Sequence, residues 1–317
     1  MATQPFVIVP SMCAVAVMYP QGRRIADEVL PRVPVDGDKF NYLKYAQADA
    51  FLAPDTTVGR LSAPNQLLYS STEVTDSVTD QALDVPVPER DIKAWNDAHR
   101  TGRVQAPNPM DQAVESGMDA FLNRREVRAA GLVFNAASYG TNNKVTLSGT
   151  SQWSDYTNSD PLVAIRGYFD SMLVRPTIGV LGRLVATKLQ LHPKVAAAVY
   201  KFGTTAGYVP MRAIADQLEL DEIYVGEAQY NTAAPGQAPS MSRVWGKHAA
   251  FLYRDKTAST RGKVTFGFTA QWGDRQAGTI TDPDIGALGG VRARVVEFVK
   301  ELVTANDLGY FVQNAIA

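Results

Sequence analysis

The hydrophobic and polar positions between residues 108 and 134 follow the spacing of one long amphipathic helix. Asn108 can cap this helix, Pro109 suits its first position, and Asp111 places a negative charge in its first turn. At about 1.5 Å per residue the helix would be about 40 Å long, which indicates a structural beam. The residues of its apolar face are Val114, Met118, Phe121, Leu122, Ala129, Leu132 and Val133.

Shorter apolar patterns predict a second domain of alternating helices and strands over residues 155–262. Asp160 and Pro161 repeat the cap-and-proline start of a helix, with apolar residues from Leu162 to Leu173 in register. The later segments predict strands at 177–181 and 223–225 and helices at 183–191, 194–200 and 211–220.

The C-terminal part favours strands. The alternation of Val264, Phe266 and Phe268 predicts a strand that returns to the first domain. Residues 291–303 suit either a helix or a strand, and we favour a strand because β-branched residues lose χ1 freedom in a helix. We expect residues 310–312 to pair with that strand. Together the elements predict an α+β fold.

The first 35 residues are apolar, yet prolines prevent a long helix there. An extended apolar strip with few local partners favours packing on another surface, such as that of a neighbouring subunit. The run from Phe6 to Tyr19 does not resemble a secretory signal, because no Lys or Arg precedes it and Pro10 interrupts it. The prolines are Pro5, Pro10, Pro20, Pro31 and Pro34.

Residues 36 to about 87 consist of short β-like pieces. One contains Phe40, Tyr42 and Tyr45, and the other, 68–78, is so polar that neither face would support a core of its own. This pattern predicts a two-stranded hairpin that projects from the body and needs a docking partner, and a mobile surface loop is the alternative. We expect about the first hundred residues to gain their stability by lying across other copies of the chain.

Composition describes an ordinary globular protein of 317 residues, with 45% hydrophobic and 20% charged residues. The formal net charge of −1 creates no global attraction for nucleic acid, so any DNA contact must be local. We expect Arg124, Arg125 and Arg128, on the polar face of the long helix, to be solvated or interfacial. The one cysteine, Cys13, cannot form an intrachain disulfide, which fits a reducing cytoplasm.

Candidate chemistry is sparse, and we predict no catalytic, cofactor-binding or metal-binding residue. The three histidines, His99, His192 and His248, have no metal-site or zincin spacing. His192 with Pro193 is interpreted as a break between two helices, and His248 as part of a loop after Trp245.

Other candidate motifs fail on context. Gly246 and Lys247 lack the other residues of a phosphate-binding loop, and the glycines at 286–290 lack the strand–loop–helix context of a dinucleotide site. The polar run 155–160 does not have EF-hand spacing and is interpreted as a loop that ends in a helix cap.

Several segments resemble phage major capsid proteins, in matching order from about residue 130 to the C-terminus. They read LVFNAASY at 132–139, NKVTLSGTSQWSD at 143–155, VGEAQYNTA at 225–233, VWGKHA at 244–249 and DLGYFVQNA at 307–315. The resemblance implies the HK-97-like capsid fold. Its parts would be an N-arm at 1–35, an E-loop at 36–92, a P-domain at 93–154 with its spine helix at about 108–134, an A-domain at 155–262, and P-domain return strands at 263–317.

The resemblance implies a non-enzymatic major capsid protein that self-assembles as hexamers and pentamers into an icosahedral head around phage dsDNA. It would be a virion component assembled in the host bacterial cytoplasm, without a membrane. Because the arm begins at Met1, a separate scaffold or protease protein is expected beside a portal and a possible decoration protein. Some members link subunits through a Lys and an Asn, but nothing identifies such a pair among Lys39, Lys44 and Asn314.

Two other functions are open at this point. An encapsulin-like nanocompartment would use the same architecture to hold enzyme cargo. A cytoplasmic α/β enzyme with an unrecognised site would remain a small oligomer.

Overall fold

The computed structural model covers both predicted domains but not every part of the N-terminal region. The predictions for an extended arm across residues 9–23 and for residues 68–70 of the hairpin lie outside the described residues, as does most of 46–70. The described residues are 7–8, 24–45, 71–102, 107–200, 207–234, 236–257 and 264–317, with positions 53, 55–60, 62–64, 66 and 260.

The long helix is α3, Pro109–Val133, and its predicted start is confirmed. The Asn108 side chain accepts a hydrogen bond from the Met110 backbone N–H at 3.0 Å, and Pro109 occupies the first turn. The apolar face is buried from Val114 to Val133 apart from Leu132, which is half-buried. The predicted beam therefore exists and packs along its length.

The long helix packs on a mixed sheet centred on one long strand. Strand β14 pairs with β13 and then β12 along one edge and with β5 along the other, which confirms a strand at 291–303. β1 extends the sheet beyond β13, and β2 pairs in parallel with β12. Its strands are β1 (Val7–Ile8), β2 (Arg32–Pro34), β5 (Thr79–Pro88), β12 (Gly267–Gln271), β13 (Gln276–Asp282) and β14 (Gly290–Val303).

The second sheet has the strand order β6-β15-β11-β7-β8. Its alternate residues face opposite ways, so Leu181 and Phe251 pack on the helices while Val180 and Leu252 face the long helix. The strands are β6 (Lys144–Thr146), β7 (Ile178–Gly182), β8 (Glu222–Gly226), β11 (Ala249–Leu252) and β15 (Gly309–Gln313), beside a β9 (Gln229–Asn231) and β10 (Met241–Arg243) pair.

Short helices complete the molecule, and those expected in the second domain are confirmed within a few residues. The Asp160 side chain accepts from the Val163 backbone N–H at 3.2 Å, as its capping role requires. The helices are α1 (Ala26–Val29), α2 (Glu89–Arg100), α4 (Pro161–Asp170), α5 (Arg183–Gln190), α6 (Pro193–Val199) and α7 (Met211–Leu218), with 3-10 turns at Ala136–Ser138, Gly149–Ser151 and Asn306–Leu308.

The predicted pairing of residues 310–312 with 291–303 is wrong. Strand β15 pairs with β11 and β6, in the second sheet. The 3-10 turn at Asn306–Leu308 redirects the chain, and Gly309 then passes so close to Phe266 that a Cβ there would lie 2.7 Å from its ring. The last strand therefore ties the C-terminus to the other half of the molecule.

The expectation that the first hundred residues fold only against other copies is also wrong for much of their length. The ten residues of β5 pair with β14 of the same chain. Arg294 binds both carboxylate oxygens of Asp84, at 2.6 and 2.7 Å, and these hydrogen bonds lower the pKa of Asp84. Strand β5 therefore satisfies one edge of the central strand within the same chain.

A hairpin-like pair does form between β3 (Lys39–Tyr45) and β4 (Ser71–Ser77), as predicted. Its base is docked, because Phe40 and Val78 are buried against Phe268 and Leu302. Further along β4, Glu73 and Thr75 are exposed. The pair is therefore held at one end by the first sheet.

Aromatic residues join the two halves of the molecule. Tyr139 stacks between Phe266 and Phe311, with ring centroids 5.1 and 5.4 Å away, and its hydroxyl donates to the Val133 carbonyl at 2.6 Å. Trp245 is fully buried beside this stack. Tyr139, Trp245 and Phe311 come from three of the segments that carry the family resemblance, and these three segments therefore converge in space.

His192 lies between α5 and α6 and caps the second helix, as its predicted position requires. Its Nδ1 accepts from the Lys194 backbone N–H at 3.2 Å, and its Nε2 lies 3.0 Å from the Ser159 hydroxyl. Because that hydroxyl donates to the Asp155 carbonyl, Nε2 must carry the proton and the imidazole is neutral. Burial lowers the pKa of His192, with a contribution from Lys194.

Substituting Gly226 should destabilise the junction through Trp245. An added Cβ in Gly226→Ala would lie 2.1 Å from the indole ring, which is an impossible contact, so we expect a loss of at least about 2 kcal/mol in unfolding free energy. Gly167→Ala is the matched control, since Gly167 lies exposed within α4 with no neighbouring atom, and it should gain about 0.5 to 1 kcal/mol. Urea unfolding measures both, and equal effects would contradict the packing described.

The neutral cap at His192 should make stability depend on pH. The pKa of His192 in the folded chain lies below its unfolded value of about 6.5. The contribution of the neutral imidazole to stability is therefore complete above the unfolded pKa and is lost as the pH falls from there through the folded pKa. His192→Asn keeps a capping side chain that does not titrate. Between about pH 7.5 and pH 5.5 the unfolding free energy should fall more in the wild type than in the variant. Parallel curves would show that His192 does not titrate on unfolding.

Candidate functional site

The N-terminal segment 24–34 occupies the place where the long helix and both sheets meet. Ile25, Val29 and Leu30 are buried in the cluster that contains Val180 and Trp245. Each such aliphatic side chain contributes roughly 1.5 to 3 kcal/mol on burial. Strand β2 then continues the segment along β12. The segment is therefore part of the folded body of the subunit.

Glu126 of α3 binds the start of this segment through its side chain. Its Oε1 accepts hydrogen bonds from the Ile25 backbone N–H at 2.9 Å and from Trp245 Nε1 at 2.7 Å, while Oε2 accepts from the Ala26 N–H at 3.0 Å. Glu126 has no exposed surface. Desolvation raises the pKa of Glu126, and the three donated hydrogen bonds oppose that rise. One carboxylate thus connects three separate parts of the chain.

The preceding residue, Arg125, is buried, so the expectation of a solvated or interfacial arginine there is wrong. It is 1% exposed and pairs with Asp27, and its Nη2 donates to Thr269 Oγ1 at 3.2 Å. Arg128 is half-buried and binds Glu301 at 3.0 Å, whereas Arg124 is exposed as expected. The acidic partners come from distant parts of the sequence, so the periodicity of the helix could not predict them.

Arg32 and Glu297 extend the buried charges into the first sheet. Arg32 donates to Asp27 at 2.8 Å and also pairs with Glu297, which Arg275 contacts at 3.2 Å. Burial alone would raise the pKa of Glu297, but Arg32, Arg275 and Arg125 outweigh it and hold the pKa below its usual value. Glu297 is therefore ionised at neutral pH, and the network joins the N-terminal segment, α3 and β14.

The remaining histidines have structural roles. The His248 Nδ1 accepts from the Asn314 backbone N–H at 3.0 Å and lies in the loop after Trp245, as predicted. His99 stacks on Trp95 at the exposed face of α2. The sequence reasoning weighed the histidines and missed Glu126 and Asp27, the acidic groups at the meeting point.

Membrane-spanning helices and metal-binding clusters are both absent from the described residues. No helix in the described ranges combines the length and apolar character of a membrane span. Within that same part of the chain, no three His, Cys, Asp or Glu side chains come together in a way that could hold a metal ion.

Solved structures share this architecture over nearly the whole chain. A phage-related protein from Bordetella bronchiseptica superposes with a TM-score of 0.73 at 21% identity, covering 98% of each chain. The capsid of cyanophage P-SCSP1u gives a TM-score of 0.56 at 10% identity, over 92% of this chain and 88% of that one. The fold is therefore the HK-97-like capsid fold expected from the sequence.

Sequence relatives give the family. No protein-family model matches the chain. A protein of Burkholderia phage BcepMu named major capsid protein is 23% identical over 96% of both sequences. A protein of Pseudomonas phage JBD67 with the same name is 51% identical over the full length of both. The chain therefore belongs to the bacteriophage major capsid proteins, which are virion components.

Proposed function

We propose that the chain assembles with itself, as hexamers and pentamers, into the icosahedral head that encloses the phage dsDNA genome. The full-length identity of 51% to a phage major capsid protein carries this proposal. The same observation disfavours an encapsulin-like compartment and an enzyme, because both curated relatives are phage capsid proteins. The proposed role requires no catalytic step.

The proposed parts follow the sequence assignment with changes that the strand pairing requires. Residues 1–35 would be the N-arm, 36–92 the E-loop, 93–154 and 263–317 the P-domain, and 155–262 the A-domain. However, β5 pairs within the P-domain sheet, and β6 and β15 pair within the A-domain sheet. We therefore limit the part of the E-loop that would contact a neighbouring subunit to the β3–β4 pair and the residues between its strands.

Assembly would proceed through heterologous contacts, in which one patch of a subunit meets a different patch on the next copy. The β3–β4 pair suits this role, because Phe40 and Val78 anchor its base and the Asp76 carboxylate pairs with Lys300. A strand pair fixed at one end loses less conformational freedom on binding than a free segment does. It can therefore supply contact area outside the compact body.

Contact with the genome would be local and independent of sequence. The formal net charge of −1 gives no long-range attraction for phosphates. Retention of DNA would follow from closure of the shell. A separate scaffold or protease, a portal and a decoration protein are further partners that we propose from the family.

Shortening the hairpin should separate folding from assembly. Tyr45 and Ser71 are opposite partners at the end of the β3–β4 ladder, so a turn of about four residues can replace 46–70 without disturbing the docked base. We expect a folded chain with an unchanged unfolding midpoint that forms no shells. Thermal unfolding and electron microscopy measure the two effects. Normal shells from this variant would overturn the proposed role of the hairpin.

A further inference from the structure

The base of the β3–β4 pair packs on the face of the first sheet that points away from the long helix. Alternate residues of β14 face opposite ways. Ala293 and Val295 pack with residues of α3, whereas Leu302 packs with Phe40 and Val78 at the base of the pair. The pair is therefore attached to its own subunit through one face of β14.

Lys300 places a charge in the middle of this apolar contact. It lies between Phe298 and Leu302 on the same face, and its ammonium group pairs with the Asp76 carboxylate of β4. The two charged side chains are 36% and 26% exposed, so the ion pair is only partly shielded from water. A row of apolar side chains alone would accept the strand pair at several angles, because apolar burial is not directional. The charge requires one partner in one place.

The ion pair and the apolar anchor attach β4 at different points. Asp76 lies two residues before Val78, so both side chains face the sheet. Tyr42, on the neighbouring strand, has its ring centroid 6.4 Å from that of Phe268. Burial and the charge of Asp76 raise the pKa of Tyr42, and Lys300 opposes that rise, so the three groups are close together. Separate points of attachment define a direction for the pair.

A small error in this direction grows along the strands. β4 has seven residues, Ser71–Ser77. At about 3.3 Å per residue it spans about 20 Å, so a tilt of about 20° at the base would move its outer end by about 7 Å. That displacement exceeds the spacing of about 4.8 Å between paired strands. Glu73 and Thr75, which lie beyond the ion pair, are exposed. The orientation of the base therefore decides where the exposed part of the pair lies.

We propose that Lys300 is a positioning residue that fixes the angle of the β3–β4 pair on the first sheet. This inference rests on the proposed function, in which the pair contacts another copy. Burial of Phe40 and Val78 holds the base in place. The ion pair with Asp76 resists pivoting, because a charge-assisted hydrogen bond weakens steeply when its atoms are displaced. Each subunit then presents its strand pair at the same angle.

The Lys300→Met variant removes the charge and keeps an unbranched apolar stem. Spin labels at Thr75→Cys in β4 and Thr281→Cys in β13, both exposed positions, report the angle in the unassembled full-length chain, with Cys13→Ser as the background. We expect one narrow distribution of label-to-label distances in the chain that retains Lys300. In Lys300→Met the distribution should widen or its peak should shift, because the base can then pivot about its apolar anchor.

Arg294→Met is the matched control. Arg294 lies on the same face of β14 and binds Asp84 at 2.6 and 2.7 Å, with side chains that are 34% and 22% exposed. Its partner belongs to β5 and not to the β3–β4 pair, so its loss should leave the distance distribution unchanged. The charge swap of Lys300→Asp with Asp76→Lys should restore the narrow distribution.

Salt separates the charge from the packing of the side chain. Raising the NaCl concentration from about 0.1 M to about 1 M shortens the screening length from about 10 Å to about 3 Å. The distribution should therefore widen with salt in the chain that retains Lys300. In Lys300→Met it should not change further, since the charge is already absent.

Particles made with the phage's own head proteins provide the second measurement. We expect Lys300→Met to give misshapen or incomplete shells in electron micrographs, whereas Arg294→Met and the charge swap should give normal shells. The variants differ in the angle of the strand pair, and their unfolding midpoints in urea show whether lost stability accounts for any defect.

The outcomes separate this inference from the proposed function. An unchanged distance distribution in Lys300→Met, equal widening in Arg294→Met, or a charge swap that behaves like Lys300→Met would overturn the role of Lys300. Normal shells despite a wide distribution would overturn the dependence of assembly on this angle and would leave the proposed function intact. A wild-type chain that forms no shells would overturn the proposed function itself.

Discussion

Burial of the N-terminal segment between the long helix and both sheets is the contact on which the rest of the structure depends. The segment shares one apolar cluster with residues of α3, β7 and β11. The aromatic stack of Tyr139 and Phe311 lies in the same cluster. The segment, which ends in a strand of the first sheet, therefore fixes the two halves of the molecule to each other.

Buried charges add specificity to this apolar contact. A buried ion pair often contributes little net stability, because desolvation offsets the attraction between the charges. Losing one partner is costly, however, since the other charge remains buried. The pairs of Asp27 with Arg125 and of Arg32 with Glu297 therefore penalise any shifted register of the segment. A capsid subunit needs such definition, since the same surfaces must meet again and again around the whole shell.

Local signals in the sequence predicted the helices from residue 108 onward but not Glu89–Arg100, and long-range strand pairing was beyond them. Asn108 and Asp160 identified helix starts because a cap depends only on adjacent residues. The partner of β15 could not be predicted, since an apolar strand fits either sheet and the turn at Asn306–Leu308 decides between them. Arg125 was misplaced for the same reason, because Asp27 lies 98 residues away in the sequence.

A cryo-electron microscopy map of the assembled particle tests the central claim most directly. The account predicts that residues 24–34 remain docked on their own chain, while the β3–β4 pair and the residues that join its strands contact a neighbouring copy. A map in which the hairpin contacts only its own subunit would contradict the account. So would one in which residues 24–34 leave the junction to bind another copy.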